Sequence, residues 1–191
     1  MREFYKHAPY LCTLDNKDAI VWIPKNASSL IRLAYYRRHG EDSNWRGIDW
    51  RKHRIDQFHV ILRDPYKRWI SGMQEFYLHN QDKEEMILDT IEKIEFDEHT
   101  VPQSDFLLQP KRNDNNTRTI RYYDLETDGL EKLNNKFNWF KEIPLHYSAT
   151  DFPAKVQFKE KLDKVIDKRL IKKVKQFYSS DYDLRERVFR L

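Results

Sequence analysis

At 191 residues, 39% hydrophobic and 35% charged, the chain has the length of one domain with one core, spanning residues 1–191. Aromatic residues at 14% exclude simple disorder, and only 4 glycines exclude a glycine-rich low-complexity protein. A single cysteine, Cys12, excludes an internal disulfide and a cysteine-based zinc site, and the net charge of +4 points to anionic partners without choosing among them.

In chain order, the first seven residues lack an apolar signal region, and no run reaches the ~18 apolar residues of a membrane span. The expectation is a soluble, cytoplasmic chain. Ala19-Ile-Val-Trp-Ile23 is a short continuous apolar run, as a buried strand should be. Pro24 to Ser29 cannot continue a strand well. Leu30, Leu33, Ala34 and Arg37 then fall at helical spacing, and Gly40 supplies the stop. Phe58 to Leu62 reads as a second strand. Asp64 and Pro65 suit the cap and first position of a helix carrying Trp69, Ile70, Met73, Phe76 and Tyr77 as an apolar stripe.

Residues 83–95 predict a further helix with Met86, Ile87, Thr90, Ile91 and Ile94 on one face. His99 to Pro110 reads as irregular, and Thr119 to Tyr123 as a third strand. Leu130 to Phe137 and residues 154–178 read as helices. Strands alternating with helices predict an α/β fold with a mainly parallel sheet.

Parallel α/β sheets bind ligands at the carboxyl ends of their strands. Two segments fall there. In Pro24-Lys25-Asn26-Ala27-Ser28-Ser29-Leu30, a loop enters a helix, so backbone N–H groups and the positive end of a dipole are on offer. Lys25 adds a full charge, and Ser28 and Ser29 add hydroxyls, which together make a phosphate cradle. The two glycines and late lysine of the Walker pattern are absent, which argues against an ordinary ATP or GTP hydrolase. The second segment is Arg63-Asp64-Pro65-Tyr66-Lys67-Arg68-Trp69-Ile70-Ser71. Arg63 ends a strand, Ser71 lies two turns into the following helix, and an Arg and a Ser can share the oxygens of one phosphate. Arg68 either touches ligand or braces the loops.

With these residues in view, the chain resembles the sulfotransferases that use 3′-phosphoadenosine 5′-phosphosulfate (PAPS). Pro24 to Leu30 resembles their 5′-phosphosulfate loop, with Ala27 where many members have glycine. Arg63-Asp-Pro-x-x-Arg-x-x-Ser71 resembles their 3′-phosphate motif. The carbohydrate branch is the closer likeness. His99-Thr-Val-Pro-Gln103 is similar to its His-x-x-Pro-Gln segment, Tyr122-Tyr-Asp-Leu125 to its strand ending in an acidic residue and leucine, and Tyr178-Ser-Ser-Asp-Tyr182 to its closing Tyr-x-x-Asp-Tyr.

The resemblance implies a P-loop-like three-layer fold with helices flanking the central sheet. It implies sulfuryl transfer from PAPS to a hydroxyl, of a glycan by preference, with 3′,5′-adenosine bisphosphate as product and no metal. Lys25 would stabilise the bridging oxygen as the bisphosphate leaves. Backbone N–H groups of Asn26, Ala27, Ser28, Ser29 and Leu30 would hold the 5′-phosphate, and Arg63 with Ser71 the 3′-phosphate. A general base takes the acceptor proton; His99 ranks first and His53 second, with Glu95, Asp97 and Glu98 as substitutes. His59 reads as structural.

Two basic clusters, residues 37–54 and 155–175, read as solvated helix faces. The first can also line a cleft for an anionic glycan, with Trp45 and Trp50 to stack on sugar rings. Two other functions remain open. A small-molecule or nucleotide kinase would need magnesium-dependent ATP turnover. A non-catalytic module would bind nucleic acid or another polyanion through the 155–175 helix, and it ranks last because no RNA- or DNA-reading motif accompanies that helix.

Overall fold

The computed structural model describes residues 11–13, 17–40, 55–107, 119–138, 140 and 152–190. The architecture is α/β. The chain packs as two compact units, Met1–Arg63 with Asp105–Tyr147, and Asp64–Ser104 with Ser148–Leu191.

The first unit is built on a sheet of four strands in the order β1-β2-β3-β4, with β1 Leu11–Thr13, β2 Asp18–Val21, β3 Gln57–Leu62 and β4 Thr119–Asp124. β2, β3 and β4 are parallel, in a register that aligns Ile20 with His59 and Ile61 with Tyr123. β1 is antiparallel to β2 and went unpredicted, because three residues carry no readable periodicity. Because successive strand residues point to opposite faces, Ile20, Ile61 and Tyr123 share one face. Two helices cover that face. From α1 (Ser28–His39) come Leu30, Ile31, Ala34 and Tyr35, and from α4 (Gly129–Phe137) comes Leu133, all in one core with Phe140. α1 stops at Gly40, whose φ of 86° suits a residue without Cβ.

His59 sits in this unit with its side chain wholly buried. Its Nε2 is 2.7 Å from Asp18 Oδ1 and its Nδ1 2.9 Å from the Tyr123 hydroxyl. A carboxylate only accepts, so Nε2 carries the proton and Nδ1 accepts from Tyr123. This is a structural histidine, as its place within a strand suggests.

The second unit is helical. α2 (Pro65–Leu78) begins as its sequence directs, with the Asp64 carboxylate accepting from the Lys67 N–H at 2.9 Å and Pro65 in the first turn. Its stripe of Trp69, Met73 and Tyr77 packs with Phe158 and Leu162 of α5 (Pro153–Val165) and with Leu170 and Val174 of α6 (Lys168–Phe177). Tyr77 and Phe158 stack at 4.2 Å. The helix expected over 154–178 is therefore two. Ile166 and Asp167 are extended, and the Asp167 carboxylate accepts from the Leu170 N–H at 2.7 Å, which starts α6 afresh. α7 (Ser179–Phe189) follows directly.

The helix expected over 83–95 is also broken. α3 covers only Glu84–Asp89, and a 3₁₀ turn follows at Ile91–Lys93. The Thr90 hydroxyl donates to the Met86 carbonyl at 2.7 Å, a local bond that competes with helix continuation. Ile94 then takes a φ of 65°, a strained conformation for a β-branched residue, and its carbonyl accepts from the Trp69 indole at 3.0 Å. Of the apolar face read there, Ile87, Ile91 and Ile94 are buried and Met86 is exposed.

Candidate functional site

The carboxyl ends of β2, β3 and β4 lie side by side, and each carries a polar continuation. After β2 comes the loop Trp22 to Ala27. Lys25 and Ala27 both adopt left-handed backbone, with φ of 69° and 59°. Residues with a Cβ rarely hold that conformation, so the surroundings must impose it. Several bonds contribute. The Asn26 N–H donates to the Ile23 carbonyl at 3.1 Å, and its side-chain amide donates to the Ile61 carbonyl of β3 at 2.7 Å. The Lys25 N–H donates to Ser28 Oγ at 3.3 Å, and the Trp22 indole donates to the Ser28 carbonyl at 3.3 Å.

This folded loop delivers the N-terminus of α1. Its first intrahelical bond runs from the Ile31 N–H to the Ala27 carbonyl at 3.0 Å. The N–H groups of Ser28, Ser29 and Leu30 thus have no partner within the helix. Ala27 at the cap position has no polar side-chain atom to offer them, and no acidic residue stands in the first turn. Leu30 contributes only its backbone, since its side chain is in the core. Ser29 is half-buried.

After β3 comes Arg63. Its Nη1 donates to the Lys25 carbonyl at 3.2 Å, and its Nε lies 3.7 Å from Glu126 Oε1. After β4, Asp124 accepts from the Glu126 N–H at 3.0 Å and so sets the turn that carries Glu126. Gly129 lets α4 start against this turn; a Cβ there would lie 2.4 Å from the Asp124 carbonyl oxygen. The first unit therefore brings Lys25, Asn26, Ala27, Ser28, Ser29, Leu30 and Arg63 to one sheet end. What this end can do chemically is hold an anion on helix N–H groups beside the cationic side chains of Lys25 and Arg63. Glu126 and Trp22 escaped the sequence reading. Asp124-Leu125 marked the right turn, but nothing local says which neighbouring acid will face Arg63.

The remaining candidates lie in the second unit. Ser71 is half-buried on α2. Arg68 is fully buried and donates to the Val101 carbonyl, so it braces a loop. His99 Nδ1 is 2.9 Å from Asp97 Oδ2. The two segments of this unit that resemble carbohydrate-branch motifs meet each other. The Asp181 carboxylate accepts from the Gln103 and Ser104 N–H groups, each at 2.8 Å, and the Tyr178 hydroxyl donates to the Thr100 carbonyl. Burial pushes the Asp181 carboxyl above its ordinary value, opposed by the Ser104 hydrogen bonds and the Arg68 charge. Tyr182 is pushed up to about 12, by burial first and by the Asp64 charge second. His53 and the tryptophans Trp45 and Trp50 lie outside the described residues.

Within the 155–175 cluster, Lys155, Lys159, Lys161, Arg169 and Lys173 each pair with a carboxylate. Much of that charge is locally compensated, with Lys155 buried against Glu75 and the other four on exposed positions. Among the described residues no group of three or more His, Cys, Asp or Glu side chains is placed to hold a metal ion, and no helix is long and apolar enough to cross a membrane. No protein-family model, curated protein or solved structure matches the chain.

Proposed function

We propose that the protein is a PAPS-dependent sulfotransferase with a P-loop-like donor site and a hydroxyl acceptor, of carbohydrate by preference. One observation carries the reading. The β2–α1 loop holds Ala27, at the place many sulfotransferases fill with glycine, in the left-handed conformation that glycine adopts freely. Asn26 pins that loop to β3, and Arg63 is bonded to it.

On this reading the N–H groups of Ser28, Ser29 and Leu30 receive the 5′-phosphate. Lys25 neutralises the oxygen between phosphorus and sulfur as the S–O bond breaks, and Arg63 selects the 3′-phosphate. Ser71 as second ligand of that phosphate and His99 as base rest on the motif resemblance. Sulfuryl transfer, like phosphoryl transfer, asks mainly for positioning and charge stabilisation.

The test is thermal stability without magnesium, comparing 3′,5′-adenosine bisphosphate with AMP, ADP and ATP. At ~100 times its dissociation constant the bisphosphate should stabilise the fold by about 2.7 kcal/mol, or very roughly 5–11 °C. Arg63→Ala should weaken it ~10–150-fold, the worth of a charge-assisted hydrogen bond. An equal response to ATP would sink the proposal, as would bisphosphate binding unchanged by the substitution.

A further inference from the structure

The four described histidines are held in different ways. Both ring nitrogens of His59 are engaged within the fold. His79 is 64% exposed, with Nε2 3.6 Å from Glu75. His39 lies against the Tyr35 ring at 4.5 Å, at the exposed end of α1. His99 is gripped twice by one carboxylate. Asp97 Oδ1 accepts from the His99 backbone N–H at 2.9 Å, and Asp97 Oδ2 lies 2.9 Å from His99 Nδ1. The side chain is 20% exposed, and among the described residues none makes a hydrogen bond or ion pair with Nε2. Since a carboxylate only accepts, Nδ1 carries a proton, and whenever an imidazole so held is neutral its lone pair lies at Nε2.

The grip is itself held. The Thr100 hydroxyl oxygen receives the Phe96 and Asp97 N–H groups, at 2.7 and 3.0 Å, and so closes the turn containing Asp97. Gly72 of α2 allows the His99 backbone to lie against the helix, where a Cβ would come within 2.4 Å of the His99 carbonyl oxygen. Downstream, Arg68 and Tyr178 hold the carbonyls of Val101 and Thr100. The ring is thus fixed from the backbone and from Nδ1, the arrangement a base needs if its other nitrogen is to meet a proton.

We infer that Asp97 is a positioning residue that locks His99 in the Nδ1–H tautomer and leaves Nε2 as the proton acceptor. Its place in catalysis rests on the sulfotransferase reading above. In sulfuryl transfer the acceptor gives up its O–H proton as its oxygen bonds to sulfur, and Nε2 is the atom of this ring that can take it. The S–O bond to the 5′-phosphate breaks, the bisphosphate leaves with that electron pair, and the proton is later lost to water.

The test uses the full chain labelled with ¹⁵N-histidine, at alkaline pH where imidazoles are neutral. Two-bond ¹H–¹⁵N correlations, assigned by their loss in His99→Gln, should place the His99 proton on Nδ1. In Asp97→Asn the proton should move to Nε2, because a carboxamide in this position imposes the other tautomer. A wild-type ring protonated at Nε2, or a tautomer unmoved by Asp97→Asn, overturns the inference. If Asp97→Asn fails to fold, the wild-type tautomer alone decides.

Carbethoxylation with diethyl pyrocarbonate should modify His99 at Nε2 and spare His59; a His99 as inert as His59 counts against it. With water as probe acceptor, Asp97→Asn should lower the kcat of PAPS turnover ~10²–10⁴-fold and leave bisphosphate affinity unchanged. An unchanged kcat overturns the catalytic role. Failure of the wild type to bind the bisphosphate refutes the donor reading and leaves the tautomer result standing.

Discussion

Asn26 is 1% exposed, and its amide is the link between the β2–α1 loop and β3. Asn26→Ala strands the Ile61 carbonyl in the interior and should cost about 1–3 kcal/mol in urea unfolding. It should also weaken bisphosphate binding, since Lys25 and Ala27 then lose the support of their left-handed backbone. Full stability and full binding in this variant would show the link to be dispensable. Gly72 makes a prediction of unusual sign. In an exposed helix, Gly→Ala stabilises by about 1 kcal/mol. Here the added Cβ meets backbone rather than a movable side chain, at 2.4 Å from the His99 carbonyl oxygen and 2.9 Å from its carbon. Gly72→Ala should therefore destabilise by about 1–3 kcal/mol, and a raised Tm would refute the close approach. Neither role can be read from the residue type alone. An asparagine in a loop and a glycine in a helix acquire these roles from what lies across from them.

At the scale of elements, local signals worked where the chain itself supplies the chemistry. Asp64-Pro65 starts α2 because the cap and the ring act within four residues, and Gly40 ends α1 for the same reason. The signals failed where a competing local bond had to be weighed against a favourable apolar pattern. Residues 154–178 have helical periodicity throughout, yet Asp167 caps a new helix. Asp167→Ala should cost about 0.5–2 kcal/mol by Tm. An unaltered Tm would mean that the break at Ile166 is imposed by packing and not by the cap. The Tyr178 to Tyr182 motif was legible as a motif but not as an element. Its role lies in tertiary contacts, in which Asp181 and Tyr178 hold the backbone between Thr100 and Ser104.

Across the whole molecule, acid stability follows from the buried groups. Burial holds His59 below its ordinary 6.5, against the opposing pull of its Asp18 hydrogen bond, and burial together with the Arg38 charge lowers His39. The unfolded chain then binds protons that the folded chain refuses, so stability rises with pH through this range. The contribution is fully present above about 6.5 and is lost as pH falls through the depressed folded values. Asp181, raised by burial, has the opposite sign, its contribution declining as pH rises from the ordinary carboxylate range. Tm should fall between pH 7 and pH ~5.5, and His59→Gln should flatten that slope while lowering Tm at pH 7. An undiminished slope in the variant would assign the effect elsewhere.

The sequence by itself determined the α/β class, the three parallel strands and the strand–loop–helix with Lys25 at its turn, because hydrophobic period and helix caps act over a few residues. It also determined which residues carry charge at the strand ends. Only the tertiary structure decided that Ala27 is left-handed, that Arg63 faces Glu126 and the Lys25 carbonyl, and that Asp97 and not Glu95 or Glu98 stands behind His99. Those facts depend on which backbone groups the sheet register and the helix packing bring within 3 to 4 Å. A sequence specifies such neighbours only through the fold as a whole.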